Sequence, residues 1–155
     1  MVGEGIHHLN LKYGKTSMSR EDNKNTVRYF ISEILEKGDM SMLRMVCAPN
    51  YINRMTGQGV GSLYEFNRVI NKAIPDIHFK IESLVAEGDQ VVVRYTLTGT
   101  YTGMVPGYRP TGKPVLIRGI TYYRLENGLI VEHDPAATPD IWEVLGIKLA
   151  VTRQL

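Results

Sequence analysis

Glu132, His133 and Asp134 stand side by side in the stretch "GLIVEHDPAATPDIWEVLG" (128–146), two acids flanking an imidazole. These residue types move protons. Histidine titrates near neutrality, and a carboxyl drawn partly out of water has its pKa raised toward the same range. Such groups can take a proton from a carbon beside a carbonyl, or return one to an oxyanion. Strand geometry limits the cluster, because adjacent side chains point to opposite faces. His133 and Asp134 therefore cannot both face one cavity while the strand stays regular. Pro135 has no N–H to give a sheet, so regular pairing is expected to fail at or just before it, and a bend there would turn Asp134 inward. Asp134 has an equally good competing use, accepting backbone N–H groups in the turn "DPAATPD". His133 reads either as a second proton carrier or as a partnered or surface histidine. Glu132 is expected on the side away from His133.

The chain that must position these groups has 155 residues, 43% of them hydrophobic, which points to one domain with one sizeable core. A charged fraction of 22% and a net charge of +2, without runs of like charge, argue against a nucleic-acid binder. No segment has the length and apolarity of a membrane span, and the first 20 residues lack the apolar core of a signal peptide. With one cysteine, Cys47, no internal disulfide can form. The expectation is a soluble, cytoplasmic protein with a mobile extension over residues 1–20, which carries His7 and His8, and one domain over 21–155.

Periodicity gives the elements. Val27, Phe30, Ile31, Ile34 and Leu35 form a helical stripe closed by Gly38. A short helix follows Asp39, with Met42, Leu43 and Val46 inward and Pro49 as its stop; "YINRM" (51–55) is a short extended piece. Ser62 and Glu65 read as a capping box opening a third helix that ends at Pro75. From Ile77 the period is two. Strands turn at Glu87-Gly88-Asp89 and at Asn127-Gly128, the strongest hairpin signal in the chain, and a Gly/Pro loop of about a dozen residues lies between them. Thr138 is expected to cap a last short helix with Pro139 at its first position. Helices first and strands after predict an α+β fold, with helices on one face of a curved antiparallel sheet and room for an internal cavity.

Parity then sorts side chains. Tyr95 goes inside with Val91, Val93 and Leu97, and Arg94 outside. Ile117, Gly119, Thr121 and Tyr123 share one face of their strand; Leu116, Arg118, Ile120 and Tyr122 share the other. Met104, Val105 and Tyr108 could form a lid, and Trp142 is expected to plug the cavity wall. "GYRPTGK" (107–113) has phosphate-loop spacing, but Pro114 replaces the Ser or Thr that would hold magnesium, and a strand follows where a helix is required. The four histidines fall in no zinc spacing. No metal and no cofactor is expected.

The segments "AIPDIHFKIESLVAEGDQVVVRYTLTGTYTG", "PTGKPVLIRGITYYRLENGLIVEH" and "WEVLG" give the run from about Asn23 to Gly146 a resemblance to the SnoaL-like polyketide cyclases of the nuclear transport factor 2-like superfamily. The resemblance implies a cone-shaped α+β barrel, a curved antiparallel sheet with helices on its concave face. It implies a homodimer formed through the sheet. It implies ring closure of a hydrophobic intermediate, without cofactor, by an aspartate at the end of the last strand and a histidine on the strand before. Here the family's Glu-His-Trp-Asp is Glu132-His133-Asp134-Pro135: Asp134 falls on the tryptophan, unless one deleted residue brings it onto the aspartate, and Thr121 falls on the strand histidine. Tyr51 and Asn53 match the family's Tyr-x-Asn, with Arg54 for the next histidine. Asn53 would then hold a substrate carbonyl or tie down a loop. The expected function is cyclisation or isomerisation of a polyketide- or terpenoid-like intermediate, with Asp134 and His133 catalytic and Tyr51, Asn53, Tyr95, Thr121, Met104 and Trp142 binding substrate. Epoxide hydrolysis on the same fold and binding without catalysis stand as alternatives.

Overall fold

A computed structural model describes residues 18–146. Residues 1–17 of the expected extension, His7 and His8 among them, lie outside the described residues, as do 147–155. Helix α1 (Arg20–Tyr29) starts at Ser19, whose hydroxyl accepts the Asp22 N–H while the Asp22 carboxylate accepts the Ser19 N–H. Two backbone donors that the first turn cannot satisfy internally are thus satisfied. The helix runs on through Phe30–Glu36 with one extra residue per turn. Val27, Phe30, Ile31, Ile34 and Leu35 are all buried, as their spacing predicts. Gly38, at φ +68°, turns the chain away in the left-handed region that glycine enters freely.

The next stretch departs from expectation. Helix α2 (Leu43–Val46) is one turn long and passes directly into β1 (Cys47–Asn53). Pro49 therefore sits inside a strand. Its tolerance there is physical: β1 is an edge strand, Pro49 is exposed, and the register shifts between Cys47 and Ile52. Helix α3 (Gly61–Phe66, continued over Asn67–Asn71) lacks the expected capping box. Ser62 already lies inside the helix and donates to the Gly59 carbonyl at 2.9 Å, and Glu65 pairs with Arg68.

The meander β2 (His78–Glu87), β3 (Gln90–Thr100), β4 (Pro114–Glu126) and β5 (Leu129–Thr138) forms with turns at the places expected. Asn127 and Gly128 both have positive φ, which a two-residue hairpin of this hand requires. Helix α4 (Ile141–Val144) is capped by Asp140, whose Oδ1 accepts the Trp142 N–H at 2.8 Å, not by Thr138.

The five strands lie in the order β1-β5-β4-β3-β2. This corrects the expected cone-shaped, curved antiparallel sheet on two counts. The sheet is mixed, because β1 runs parallel to β5 while the other pairs are antiparallel. It is also open, with β1 and β2 as separate edges and no barrel closure among the described residues. The cause lies in the connection: β1 leaves one helix and enters another, so it joins as a crossover strand and not as a hairpin partner. The fold remains α+β, with helices packed on one face. The core forms between that face and α1, where Phe30 meets Tyr123 edge-on.

Candidate active site

Helices and sheet enclose a cavity of about 730 Å³. That lies within the range of pockets that take a drug-sized organic molecule. Ile31 and Leu35 line it from the helix, Phe79, Leu97 and Ile117 from the sheet, and Phe66 and Trp142 from the two later helices. Parity is borne out on the sheet: Tyr95, Thr121 and Tyr123 are buried and line the cavity, while Arg94, Arg118 and Ile120 are exposed on the other face. Gly119 keeps space for Tyr95, since a Cβ there would run into the tyrosine ring.

His133 is in the wall, 6% exposed. Its ring stacks on Tyr123, planes 1° apart and centroids 5.1 Å apart, and meets Phe30 edge-on. Its Nδ1 lies 2.8 Å from the Tyr51 hydroxyl. Tyr51 itself does not line the cavity; it is fully buried behind the histidine and orients it. Burial drives the imidazole from the ordinary 6.5 down to about 3, so it is neutral at physiological pH. Burial likewise raises the pKa of Tyr51, Tyr95 and Tyr123, and pushes the Cys47 thiol up to about 12. The inner wall is therefore polar in places and uncharged.

Asp134 is not brought to the cavity. It is exposed, pairs across the ladder with Tyr122, and looks out from the opposite face. The expected failure of pairing at Pro135 does not occur: β5 stays paired with β4 as far as Thr138. The reason is positional. The His133 carbonyl accepts the Arg54 N–H at 2.8 Å, so backbone groups of alternate residues, Pro135 included, turn toward the β1 side. β1 ends at Asn53, so the missing proline N–H breaks no ladder bond.

Two acids do line the cavity, Glu65 and, six residues beyond Asp134, Asp140. Asp140 is half-buried at the rim; Oδ1 is occupied by the Trp142 N–H, and Oδ2 has no partner among the described residues. The sequence reading missed it because Thr138-Pro139 drew the cap. The signal available was Asp immediately before "IWEV". Glu65 also reaches the rim, but Arg68 holds it and lowers its pKa.

Of the other expected residues, Trp142 lines the cavity, packed edge-on against Phe66. Asn53 lines it too, but its Oδ1 accepts the Met55 and Thr56 N–H groups at 2.9 and 3.2 Å, so that oxygen ties down a loop. Met104 is 67% exposed and away from the cavity. The loop around it is pinned, with the Gly103 N–H on the Ala73 carbonyl and the Gly112 N–H on the Tyr101 carbonyl. Behind the site, Glu132 accepts from Arg54 at 2.7 Å and from Arg124 at 3.0 Å, clamping β1 to β5 and β4. Among the described residues no three His, Cys, Asp or Glu side chains converge as a metal site, and no helix is long and apolar enough to cross a membrane.

A model of the SnoaL-like polyketide cyclase family matches residues 25–137. No curated protein sequence matches the chain. Among solved structures, it is similar to a candidate polyketide cyclase from Acidithiobacillus ferrooxidans, with 25% identity, TM-score 0.68, 83% of this chain and 98% of that one covered. A candidate SnoaL-like polyketide cyclase from Jannaschia sp. CCS1 is 24% identical over 81% and 92% of the two chains, with TM-score 0.68. AclR, a candidate hydroxylase from Streptomyces galilaeus, is 23% identical over 87% and 91%, with TM-score 0.69. The last two likenesses speak for the fold alone.

Proposed function

Because the chain belongs to the SnoaL-like polyketide cyclase family, within the nuclear transport factor 2-like superfamily, we propose that it is a cofactor-independent cyclase or isomerase. Its substrate would be a hydrophobic, polyketide- or terpenoid-like biosynthetic intermediate. The observation that carries this reading is the cavity: apolar over most of its wall, with a neutral histidine deep inside and a carboxylate with one open oxygen at its rim.

The chemistry follows from where charge is tolerated. The proton acceptor must be anionic beforehand or gain a positive charge. Charging His133 is opposed by its burial, whereas Asp140 is half-buried and needs no positive charge to act. Asp140 Oδ2 accepts the proton from a carbon α to a carbonyl, and the C–H electron pair becomes an enolate. In cyclisation the enolate carbon attacks a second carbonyl of the same molecule, forming the C–C bond. The resulting alkoxide takes the proton back from the Asp140 carboxyl. In isomerisation the proton returns to another carbon. Tyr95, kept protonated by burial, is a hydrogen-bond donor for the oxyanion. Asp134 has no part in this scheme, and epoxide opening is not favoured, since Asn53 Oδ1 is spent on the loop.

The test is incubation with a linear hydrophobic β-polyketone, with the ring product followed by chromatography and mass spectrometry. Asp140→Asn should abolish ring closure in a folded protein, and Asp134→Asn should retain it. The reverse result would sink the assignment. The same reading includes a homodimer through the outer sheet face, where Val85, Leu116 and Ile120 are more than half exposed and Val92 is 38% exposed.

A further inference from the structure

The hydrogen bond between Tyr51 and His133 can run either way, and its direction decides what the histidine offers the cavity. The phenol is buried, at 2% exposure. A buried O–H left without an acceptor costs about 1–3 kcal/mol. Its hydrogen-bond partner among the described residues is His133 Nδ1. Ser62 also neighbours it and exerts a smaller influence than burial, but the two hydroxyls form no hydrogen bond of ordinary geometry, whereas His133 Nδ1 lies at 2.8 Å. Nε2, by contrast, has no partner among the described residues and is not walled in: the buried, unpartnered side-chain atoms there are Asn23 Oδ1 and the Tyr101 hydroxyl. An N–H placed at Nε2 is thus free to meet water or a ligand.

The surroundings add no opposing pull. The titratable groups whose rings lie against the imidazole are Tyr51 on β1 and Tyr123 on β4, each held in its neutral form by burial, and the helix contributes apolar Phe30. A histidine that gives its Nδ1 proton away usually gives it to a carboxylate or a carbonyl. Here the partner is a phenol, which has a proton of its own to place.

We propose that Tyr51 donates to Nδ1 and so fixes His133 as the neutral tautomer with its proton on Nε2, a single hydrogen-bond donor facing the cavity that takes a ligand carbonyl or the oxyanion formed from it. Tyr51 is then a positioning residue. His133 holds developing negative charge, as oxyanion donors do, and Asp140 carries the proton. The ligand class narrows to molecules that present a neutral or anionic oxygen at this depth; an ammonium group would meet an N–H. The division of labour rests on the acid/base reading above, but the tautomer does not.

Two-bond proton–nitrogen correlation spectra of the ¹⁵N-histidine-labelled full chain at neutral pH test this directly, the His133 signals being identified by their loss in His133→Gln. The expected result is a protonated Nε2 and a bare, hydrogen-bonded Nδ1. Ser62→Ala should leave that pattern intact, and Tyr51→Phe should shift the Nδ1 resonance toward its unbonded position. A protonated Nδ1 in the native protein overturns the proposal, as does a tautomer switch in Ser62→Ala or an unmoved Nδ1 in Tyr51→Phe. The native spectrum decides even where Tyr51→Phe fails to fold. No turnover enters the measurement, so its failure is distinguishable from failure of the proposed reaction.

Discussion

His133 shows how one position converts burial into pH dependence. Its pKa falls from 6.5 to about 3 on folding, because the closed wall disfavours the charged ring. In that window the unfolded chain binds the proton and the folded chain does not, so stability is intact above 6.5 and is lost as pH falls toward 3. The slope approaches about 1.4 kcal/mol per pH unit for a single group. Thermal melts of the native chain and His133→Gln between pH 8 and 4 check this: the native protein should lose melting temperature more steeply on acidification. Parallel curves would mean that the ring is solvated. Cys47 illustrates the opposite use of burial. Its thiol, pushed up to about 12, should resist alkylating reagents until the chain unfolds.

The strands explain why much of the cavity wall was legible and its acid was not. Period-two parity put Tyr95 on the cavity side and grouped Thr121 with Tyr123 on one face, because alternation needs only the local chain; that this face of β4 looks inward came from the family resemblance. Parity could not place Asp134, whose face depends on whether β5 bends at Pro135. That depends on where β1 stops, and β1 is some eighty residues earlier in the chain. The direction of β1 is likewise a property of its connections and not of "YINRM", which is why a mixed, open sheet stands where an antiparallel one was expected. Close approaches between elements also depend on tertiary placement. A Cβ at Gly103 would collide with the backbone carbonyl of Lys72, which cannot swing aside. Gly103→Ala should therefore cost roughly 1–3 kcal/mol in urea denaturation, the usual range for overpacking. At Gly119 the obstacle is the Tyr95 ring. Gly119→Ala should displace that ring and weaken ligand binding more than it weakens the fold, as titration calorimetry beside a melting curve would show.

At the scale of the molecule, helices cover one face of the sheet and enclose the cavity, while the other face leaves Val85, Leu116 and Ile120 open to solvent. Light scattering on the purified chain should give twice the mass of one chain, and Ile120→Asp should shift it to one; a monomer in both would remove the sheet-to-sheet pairing. The family resemblance was readable from the strands; the closing "WEVLG" (142–146) lies beyond the matched residues 25–137. The working residues were only half readable, since a cavity assembles side chains from β1, α1, α3, the sheet and α4 at once. The central claim is that Asp140, facing this cavity, removes a proton α to a carbonyl. It is tested most directly by following, in D₂O by proton NMR, the exchange of the α-hydrogens of a hydrophobic β-diketone. Protein-accelerated exchange should persist in Asp134→Asn and disappear in Asp140→Asn. Exchange that survives in Asp140→Asn and is lost in Asp134→Asn would contradict that claim.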